Sequence, residues 1–263
     1  MSRIFGHTGG VLTKQRKQLI LDHLRRHGQV VAKELSTLWD LSEDTIRRDL
    51  RALAAAGALQ RVHGGALPAS PAVGDFAARR TLQPQGKEAI AAAAAAMVEP
   101  GQVVFLDGGT TCQQLARRLP ATLAATVVTH SPTIAVELVA HPRIEVVLIG
   151  GRLFKHSVVA VGAAAVEAIQ RVRADLYFMG VTGVHARSGL TTGDLEEAHI
   201  KRALMAQAAE TWVLASAEKL NAASACLVAP CKQAAGLIVA PGTARAALAP
   251  FRRLGLAIRQ GRA

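Results

Sequence analysis

Residues 42–51, SEDTIRRDLR, constrain the fold more than any other stretch of the chain. Ser42 is a good helix N-cap, because its hydroxyl can accept from an amide left unpaired two or three residues on. Glu43 and Asp44 then suit the positive end of the helix dipole. Ile46, Leu50 and Leu53 recur at helical spacing and predict one buried face. Arg47, Arg48 and Arg51 fall largely off that face, with Thr45 beside them. Such a face is either a solvated helix surface or one built to meet an anion.

The residues upstream favour the second reading. Residues 14–27 carry Leu19, Ile20 and Leu24 at positions that suit one helix. Residues 31–39, VAKELSTLW, suit a second, short helix buried through Leu35 and Leu38. The Asp40-Leu41 junction leads at once into the Ser42-capped helix. A short turn followed by a helix with basic residues near its start is the helix-turn-helix arrangement, in which the N-terminal end of the second helix enters the major groove. That helix is expected to end at Gly57. Residues 59–66, LQRVHGGA, then predict a short hairpin with Gly64-Gly65 at its tip, although a glycine pair is also an ordinary turn. Arg61 and His63 would flank this wing and face phosphate or the minor groove.

At 263 residues the chain is long enough for two domains. Its 31 Lys+Arg against 19 Asp+Glu give a formal charge of +12, which favours an anionic partner. Both halves are basic, so the total does not locate the DNA surface. Cys112, Cys226 and Cys231 form no close CxxC pair, which argues against a disulfide scaffold or a thiolate zinc site and fits a reducing cytoplasm. Residues 1–10 lack the apolar core of a signal peptide. The alanine-rich run 89–98 is too short to span a bilayer and favours helix instead. No histidine cluster suggests a metal, and no motif calls for a cofactor.

Residues 68–74, PASPAVG, mark a composition break, with 75–81 suited to a short helix or arm that docks on the next domain. The predicted organisation is a flexible arm at 1–13, a winged helix-turn-helix at 14–68, a linker at 69–84 and an α/β domain at 85–263. Strands are expected at 103–106, 125–129, 145–149, 176–180, 211–215 and 237–239. Alanine-rich helices lie between several of them, so a mostly parallel sheet is the economical reading.

Polar and glycine residues collect at the ends of those strands, where open sheets bind ligands. Strand 103–106 runs into Asp107, Gly108, Gly109, Thr110 and Thr111, followed by a helix. Backbone amides converging at a helix start make an anion nest, and this loop lacks the lysine and spacing of a nucleotide P-loop. A small phosphate monoester fits better than a dinucleotide, while the bland alternative is a structural turn capped by Thr110. Asp107 would repel a phosphate beside it and is expected to accept from sugar hydroxyls. Further strand ends offer His130 and Ser131, then Gly150, Gly151 and Arg152, then Gly180 with Gly183 following. Arg152 and Lys155 are either phosphate partners or solvated surface groups. Lys219 comes after a strand and is a candidate to face the same crevice. Lys201 sits four residues after Glu197, the spacing of a helix-surface pair.

TIRRDLRAL followed by LQRVHGGA, then FLDGGTT, LIGG, ADLYFMGVTGV, GLTTGD and EEAHIKRAL, resemble the DeoR-type family of bacterial sugar-metabolism regulators. The likeness covers about residues 14–225. It implies an N-terminal winged helix-turn-helix and a C-terminal α/β effector domain similar to ribose-5-phosphate isomerase. It also implies a homo-oligomer, dimer or tetramer, that represses a sugar or polyol operon and is released by a phosphorylated intermediate. By the same resemblance, Thr45, Arg47 and Arg48 fall at recognition-helix positions, with Ser42, Glu43, Arg51, Arg61 and His63 around them. Asp107 to Thr111 fall on the effector loop. Gly150, Gly151, Arg152, Gly180 and Gly183 fall on further pocket loops, and Lys201 and Lys219 on basic positions near it. Two departures stand out. The family usually has Thr-Asn-Ser where this chain has Thr129-His130-Ser131, so a bulkier imidazole is expected to take up room in the crevice. It usually has an Asp-Ser-Ser-Lys-like stretch where this chain has Ser216-Ala217-Glu218-Lys219, which moves a carboxylate.

The sequence says nothing of promoter position, so activation or regulation of both signs stays open beside repression, and two rival functions remain as well. One is a sugar-phosphate isomerase using Asp107, Glu197 or Glu218 as base. The other is an architectural DNA-binding protein whose α/β domain only oligomerises.

Overall fold

The computed structural model describes residues 13–261. The expected flexible arm at 1–13, Thr13 apart, therefore lies outside the described residues. Helices α1 (Thr13–His27), α2 (Ala32–Trp39) and α3 (Glu43–Ala55) pack with a small sheet of β1 (Val30–Val31), β2 (Leu59–Val62) and β3 (Gly65–Pro68). The sheet runs β1-β3-β2, antiparallel throughout. Ile20, Leu24, Leu35, Ile46, Leu50, Leu53 and Leu59 form its core. This is a winged helix-turn-helix. The turn is closed by Asp40 in the left-handed region (φ 53), whose amide, like that of Leu41, donates to the Ser36 carbonyl.

Two details differ from the sequence expectation. Val31 belongs to β1 rather than to the second helix, because its backbone pairs with Gly65. Leu38 is 66% exposed, not buried. The inward position on the last turn of α2 goes to Trp39, four residues after Leu35 and so on the same helical face.

Residues 69–84 do not hang free between two bodies. Ala69 bridges to Ala223, Ser70 is buried and accepts from the Ala72 amide at 3.1 Å, and Pro71–Val73 form a 3-10 turn. Helix α4 (Phe76–Arg80) begins with the Phe76 amide donating to the His156 carbonyl at 2.9 Å. The connection is an arm pressed onto the second unit.

That unit starts with α5 (Pro84–Ala95), β4 (Val103–Leu106), α6 (Thr110–Arg118), β5 (Ala125–Thr129), α7 (Pro132–Leu138) and β6 (Ile144–Leu148). A hairpin of β7 (Arg152–Phe154) and β8 (Val159–Val161) leads to α8 (Ala163–Gln170) and β9 (Ala174–Gly180). Next come β10 (Gly183–His185), β11 (Gly189–Thr192), α9 (Leu195–Gln207), β12 (Ala208–Ala215), β13 (Cys226–Ala229), β14 (Gly236–Val239), α10 (Arg245–Arg253) and β15 (Ala257–Gln260). Seven strands form a parallel sheet in the order β15-β14-β12-β9-β4-β5-β6, and β10-β11-β13 form a separate antiparallel sheet.

All six strands expected from the apolar runs lie in the large sheet. Alternate residues feed two cores: Val104, Leu106, Phe178 and Leu214 pack under α5, α6 and α7, while Phe105, Tyr177, Met179 and Val213 pack under α8, α9 and α10. Burial on both faces is why these strands read as continuous apolar runs. The seventh, β15, is a mostly exposed edge strand, AIRQ, with no such run to betray it.

Strand order reverses between β4 and β9. The chain lays down β4, β5 and β6 in one direction, then returns to place β9 against β4 and continues the other way. The carboxyl ends of β4 and β9 flank this switch point, where open parallel sheets leave a crevice.

Gly65 shows how tightly the wing is fitted, since a Cβ there would lie 1.8 Å from the Val30 carbonyl oxygen. Gly65→Ala is expected to unseat β1 from β3. Amide exchange should then accelerate at residues 30–31 and 65–66 while the seven-stranded sheet keeps its protection; unchanged exchange at those amides would contradict this packing.

Candidate functional site

Two places concentrate polar chemistry. The first is the exposed side of α3. Ser42 caps it, with Oγ accepting from the Thr45 amide at 3.2 Å and sharing a 2.8 Å hydrogen bond with the Thr45 hydroxyl. Arg47 pairs with Glu43 at 2.7 Å and Arg48 with Asp44 at 3.1 Å, each one turn back along the helix. Both pairs are solvent-exposed, so each is worth only a few tenths of a kcal/mol and is readily exchanged for another acceptor. Arg51 is exposed as well. Arg61 and His63 on the wing are exposed and border one concavity together with Arg47 and Gly64. Beneath, the buried Asp49 is ion-paired with Arg16 of α1, a tie between the two helices that the sequence pattern did not reveal.

The second place is the crevice at the switch point. Its floor is Asp107, fully buried immediately after β4. One carboxylate oxygen accepts from the Gly108 amide at 2.9 Å and from His130 Nε2 at 2.9 Å. The other accepts from the Gly180 amide at 2.8 Å and from the Lys201 ammonium. Four donors fill the four lone-pair sites of a carboxylate. Burial alone would raise the Asp107 pKa, but Lys201 and His130 outweigh it and hold the group well below the usual carboxylate range. Lys201 is shifted the other way: burial opposes its charge, and Asp107 with Glu197 more than restores it, leaving the ammonium above its ordinary value.

Above this floor, Gly109 takes φ 107 and turns the chain into α6. A Cβ on Gly108 would lie 2.2 Å from Val159 Cγ1, so the loop requires glycine there. Thr110 and Thr111 open α6 and line the crevice, and the buried Thr111 Oγ1 has no hydrogen-bond partner. Thr110 is the first residue inside the helix, not its cap, so the plain capped turn is not what this loop builds. Four cations line the crevice: Arg79, Lys87, Lys201 and Lys219. Two carboxylates, Glu197 and Glu218, join them. Lys219 is 8% exposed, and its ammonium makes no hydrogen bond or ion pair among the described residues. Burial, aided by Lys87 and Arg79 and opposed by Glu218, brings its pKa down to about 8. The arrangement has the chemistry that suits an anion: a helix N-terminus, an unpartnered hydroxyl and an unpaired ammonium, all partly dehydrated.

Comparison with known proteins decides the family. Residues 82–240 match the DeoR C terminal sensor domain, and residues 16–71 match the DeoR-like helix-turn-helix domain. The chain is 36% identical to the HTH-type transcriptional regulator GlpR of Haloferax volcanii, over 80% of this chain and 83% of that one. It is 33% identical to the HTH-type transcriptional repressor CsqR of Escherichia coli, over 80% and 81%. It is 31% identical to the Glycerol-3-phosphate regulon repressor of the same species, over 73% and 76%.

The chain belongs to the DeoR family of transcriptional regulators.

Among solved structures, ribose 5-phosphate isomerase A of Methanocaldococcus jannaschii is similar over 51% of this chain and 52% of that one, at TM-score 0.37 and 18% identity.

In this DeoR regulator the crevice gathers only some of the residues that sequence reasoning placed there. Gly108, Gly109, Thr110, Thr111, Gly180, Lys201 and Lys219 line it. Asp107 does not meet solvent, and its saturated carboxylate has no site left for a sugar hydroxyl. His130 is 1% exposed and lies behind Asp107, with Nδ1 on the Ala160 carbonyl at 3.0 Å. Both ring nitrogens therefore face acceptors, and the imidazole does not line the crevice. Ser131 is buried alongside, bonded to Thr133 and the Val158 carbonyl. Gly150, Gly151 and Arg152 are exposed on the approach to the β7–β8 hairpin and do not line the crevice, and Lys155 is exposed as well. Gly183 is packed in β10, where a Cβ would lie 2.7 Å from the Ala222 carbonyl oxygen. Lys201 is no surface partner of Glu197: it points inward to Asp107. Ser216 is fully buried and donates to Glu218 at 2.6 Å, so the displaced carboxylate still reaches the crevice.

Arg79, Lys87, Ser157, Thr182, Thr192, Glu197 and Glu218 add further polar groups to the lining, and Ala72, Leu82, Cys112 and Val181 apolar ones. Arg79 and Lys87 straddle the boundary of a stretch that composition marked as linker, and nothing in a linker's composition announces a binding residue.

Because Asp107 titrates below its ordinary value of about 4, its contribution to stability is present above that pH and lost as pH falls below it. Lys201→Met leaves the carboxylate short of its main counter-charge and should cost about 3–5 kcal/mol in urea unfolding at pH 7. A loss under 1 kcal/mol would remove Asp107 from the centre of the fold.

Proposed function

We propose that this regulator represses a sugar or polyol catabolic operon in the cytoplasm and is released when a small phosphorylated sugar or polyol enters the crevice. In this reading residues 14–68 bind operator DNA, 69–84 connect, and 85–263 sense the effector and assemble the homo-oligomer, dimer or tetramer. The observation that carries the reading is the unpartnered Thr111 hydroxyl and unpaired Lys219 ammonium, both buried at the α6 N-terminus. A phosphate monoester supplies the acceptors and the negative charge that these groups lack. The crevice carboxylates Glu197 and Glu218 suit hydroxyls on the same molecule. The similar Glycerol-3-phosphate regulon repressor carries a compound of this class in its name.

Regulation is favoured over turnover by the family to which the chain belongs, and of the three candidate bases Asp107 is ruled out by its partners. A carboxylate already accepting four hydrogen bonds cannot act as the base that an aldose-ketose isomerisation requires. No helix among the described residues is long and apolar enough to cross a membrane.

Specific DNA recognition would run through Arg47 and Arg48, released from Glu43 and Asp44 onto guanine edges, with Ser42, Glu43, Thr45 and Arg51 along the same face. Arg61 and His63 on the wing would meet phosphate or the minor groove. Against an operator selected from random duplexes, Arg47→Ala with Arg48→Ala should lower specific affinity by about 10-fold to 100-fold per lost base contact, leaving non-specific binding nearly intact. Equal protection of the same operator at equal salt would contradict the assignment.

Effector binding is testable by calorimetry with glycerol 3-phosphate and a panel of small sugar phosphates. Thr110→Ala with Thr111→Ala should weaken any hit about 10-fold or more at pH 7, and unaltered binding would move the site elsewhere. Phosphate stabilises the charged form of Lys219, so binding takes up a proton at pH values above about 8. Affinity should hold between about pH 6, where a phosphate monoester reaches its second charge, and pH 8, then fall as Lys219 deprotonates. Lys219→Met should flatten that alkaline decline.

A further inference from the structure

The arm that joins the two units is also part of the effector crevice. Ala72, Arg79 and Leu82 lie on its lining, together with the Thr111 hydroxyl that has no partner. Arg79 donates to Ser157 Oγ at 3.2 Å, and a Cβ placed on Gly109 would lie 4.0 Å from its Nη1. Its guanidinium therefore sits over the loop that opens α6.

With the arm in this position the inner crevice has about 30 Å³ that water centres can occupy, room for about two waters. An outer cavity of about 260 Å³ adjoins it, bordered by Phe154, His156 and Asp194. Ala72, Arg79, Ser157, Thr182 and Glu197 line both spaces, so the arm stands in the wall between them. A sugar phosphate is too large for the inner space alone. Movement of Arg79 off Ser157 would join the two spaces and make room for it, with phosphate at the α6 N-terminus and the hydroxylated chain reaching toward Asp194.

We propose that Arg79 is the residue that converts effector binding into a change in the DNA-binding unit: the effector's phosphate draws its guanidinium off Ser157 and displaces the arm. The proposal rests on the effector reading of the crevice given above. Displacement reaches the wing directly, because β3 ends at Pro68, whose carbonyl accepts from the Ala223 amide at 3.5 Å, and Ala69 bridges to Ala223. The docked arm thus holds the wing against the β10-β11-β13 sheet, and the displaced arm releases it. A ligand regulates only by favouring one of two such states.

The test needs no ligand. Operator affinity and hydrogen exchange are measured on the full-length Arg79→Ala and Ser157→Ala proteins, which break the same contact from opposite sides. Both variants should exchange faster at residues 72–80 and bind the operator at least 5-fold more weakly, with α3 amides protected as in the wild type. Arg79→Lys should recover part of the affinity. Wild-type exchange at 72–80 with wild-type operator affinity in both variants would overturn the proposal. In contrast, unaltered ligand binding by the Thr110→Ala, Thr111→Ala protein would overturn the effector reading while leaving the arm's exchange unchanged.

Discussion

The α/β unit depends on one buried carboxylate. Asp107 lies where the strand order reverses and accepts from four donors contributed by four separate parts of the chain. Gly108 is its own loop, His130 comes after β5, Gly180 ends β9 and Lys201 projects from α9. Each donor alone is an ordinary interaction. Together they fix the separation of the β4 and β9 ends and aim the start of α6 into the crevice. A buried charge is costly unless fully compensated, so this arrangement tolerates few alternatives. The crevice chemistry is a consequence, since Asp107 neutralises Lys201 and leaves Lys219 and Arg79 as the cations open to a ligand.

The same geometry explains where the sequence was readable. Recognition helix, wing and sheet strands were legible because each rests on a local signal: a cap followed by a helical period, a glycine turn, or an apolar run buried on both faces. The loop after β4 was legible too, as glycines and hydroxyls between a strand and a helix. Which polar residues face a ligand was not. Asp107 and Thr111 lie four residues apart in one motif, yet one is sealed beneath the crevice and the other opens into it. His130 and Ser131 end a strand beside the switch point, but they pack behind the loop. Leu38 and Trp39 likewise exchange roles by one helical position, which no period reading of an eight-residue helix resolves.

The docking of the arm at 75–81 was expected from the sequence, but its place in the crevice was not. Its composition, rich in proline and small residues, is that of a connector, and such stretches are ordinarily read as spacers. Its residues gain meaning only from what they touch: Ala223, His156 and Ser157, all distant in sequence. A connector bonded to both units can pass a change at the crevice to the wing without any further element, as coupling between two sites requires a shared structural state. His130 fits the same picture. The imidazole reaches both Asp107 and the Ala160 carbonyl, tying the loop to the β7–β8 hairpin that bears Ser157.

The central claim is that an anion is held at the α6 N-terminus. A crystal of the protein soaked in selenate, with the selenium located by its anomalous scattering, tests it most directly. The account predicts a peak within hydrogen-bonding reach of Thr111 Oγ1 and the Lys219 ammonium, with the Arg79 guanidinium turned away from Ser157. A peak confined to the exposed Gly150, Gly151 and Arg152 loop, with the crevice unoccupied and Arg79 still on Ser157, would contradict it.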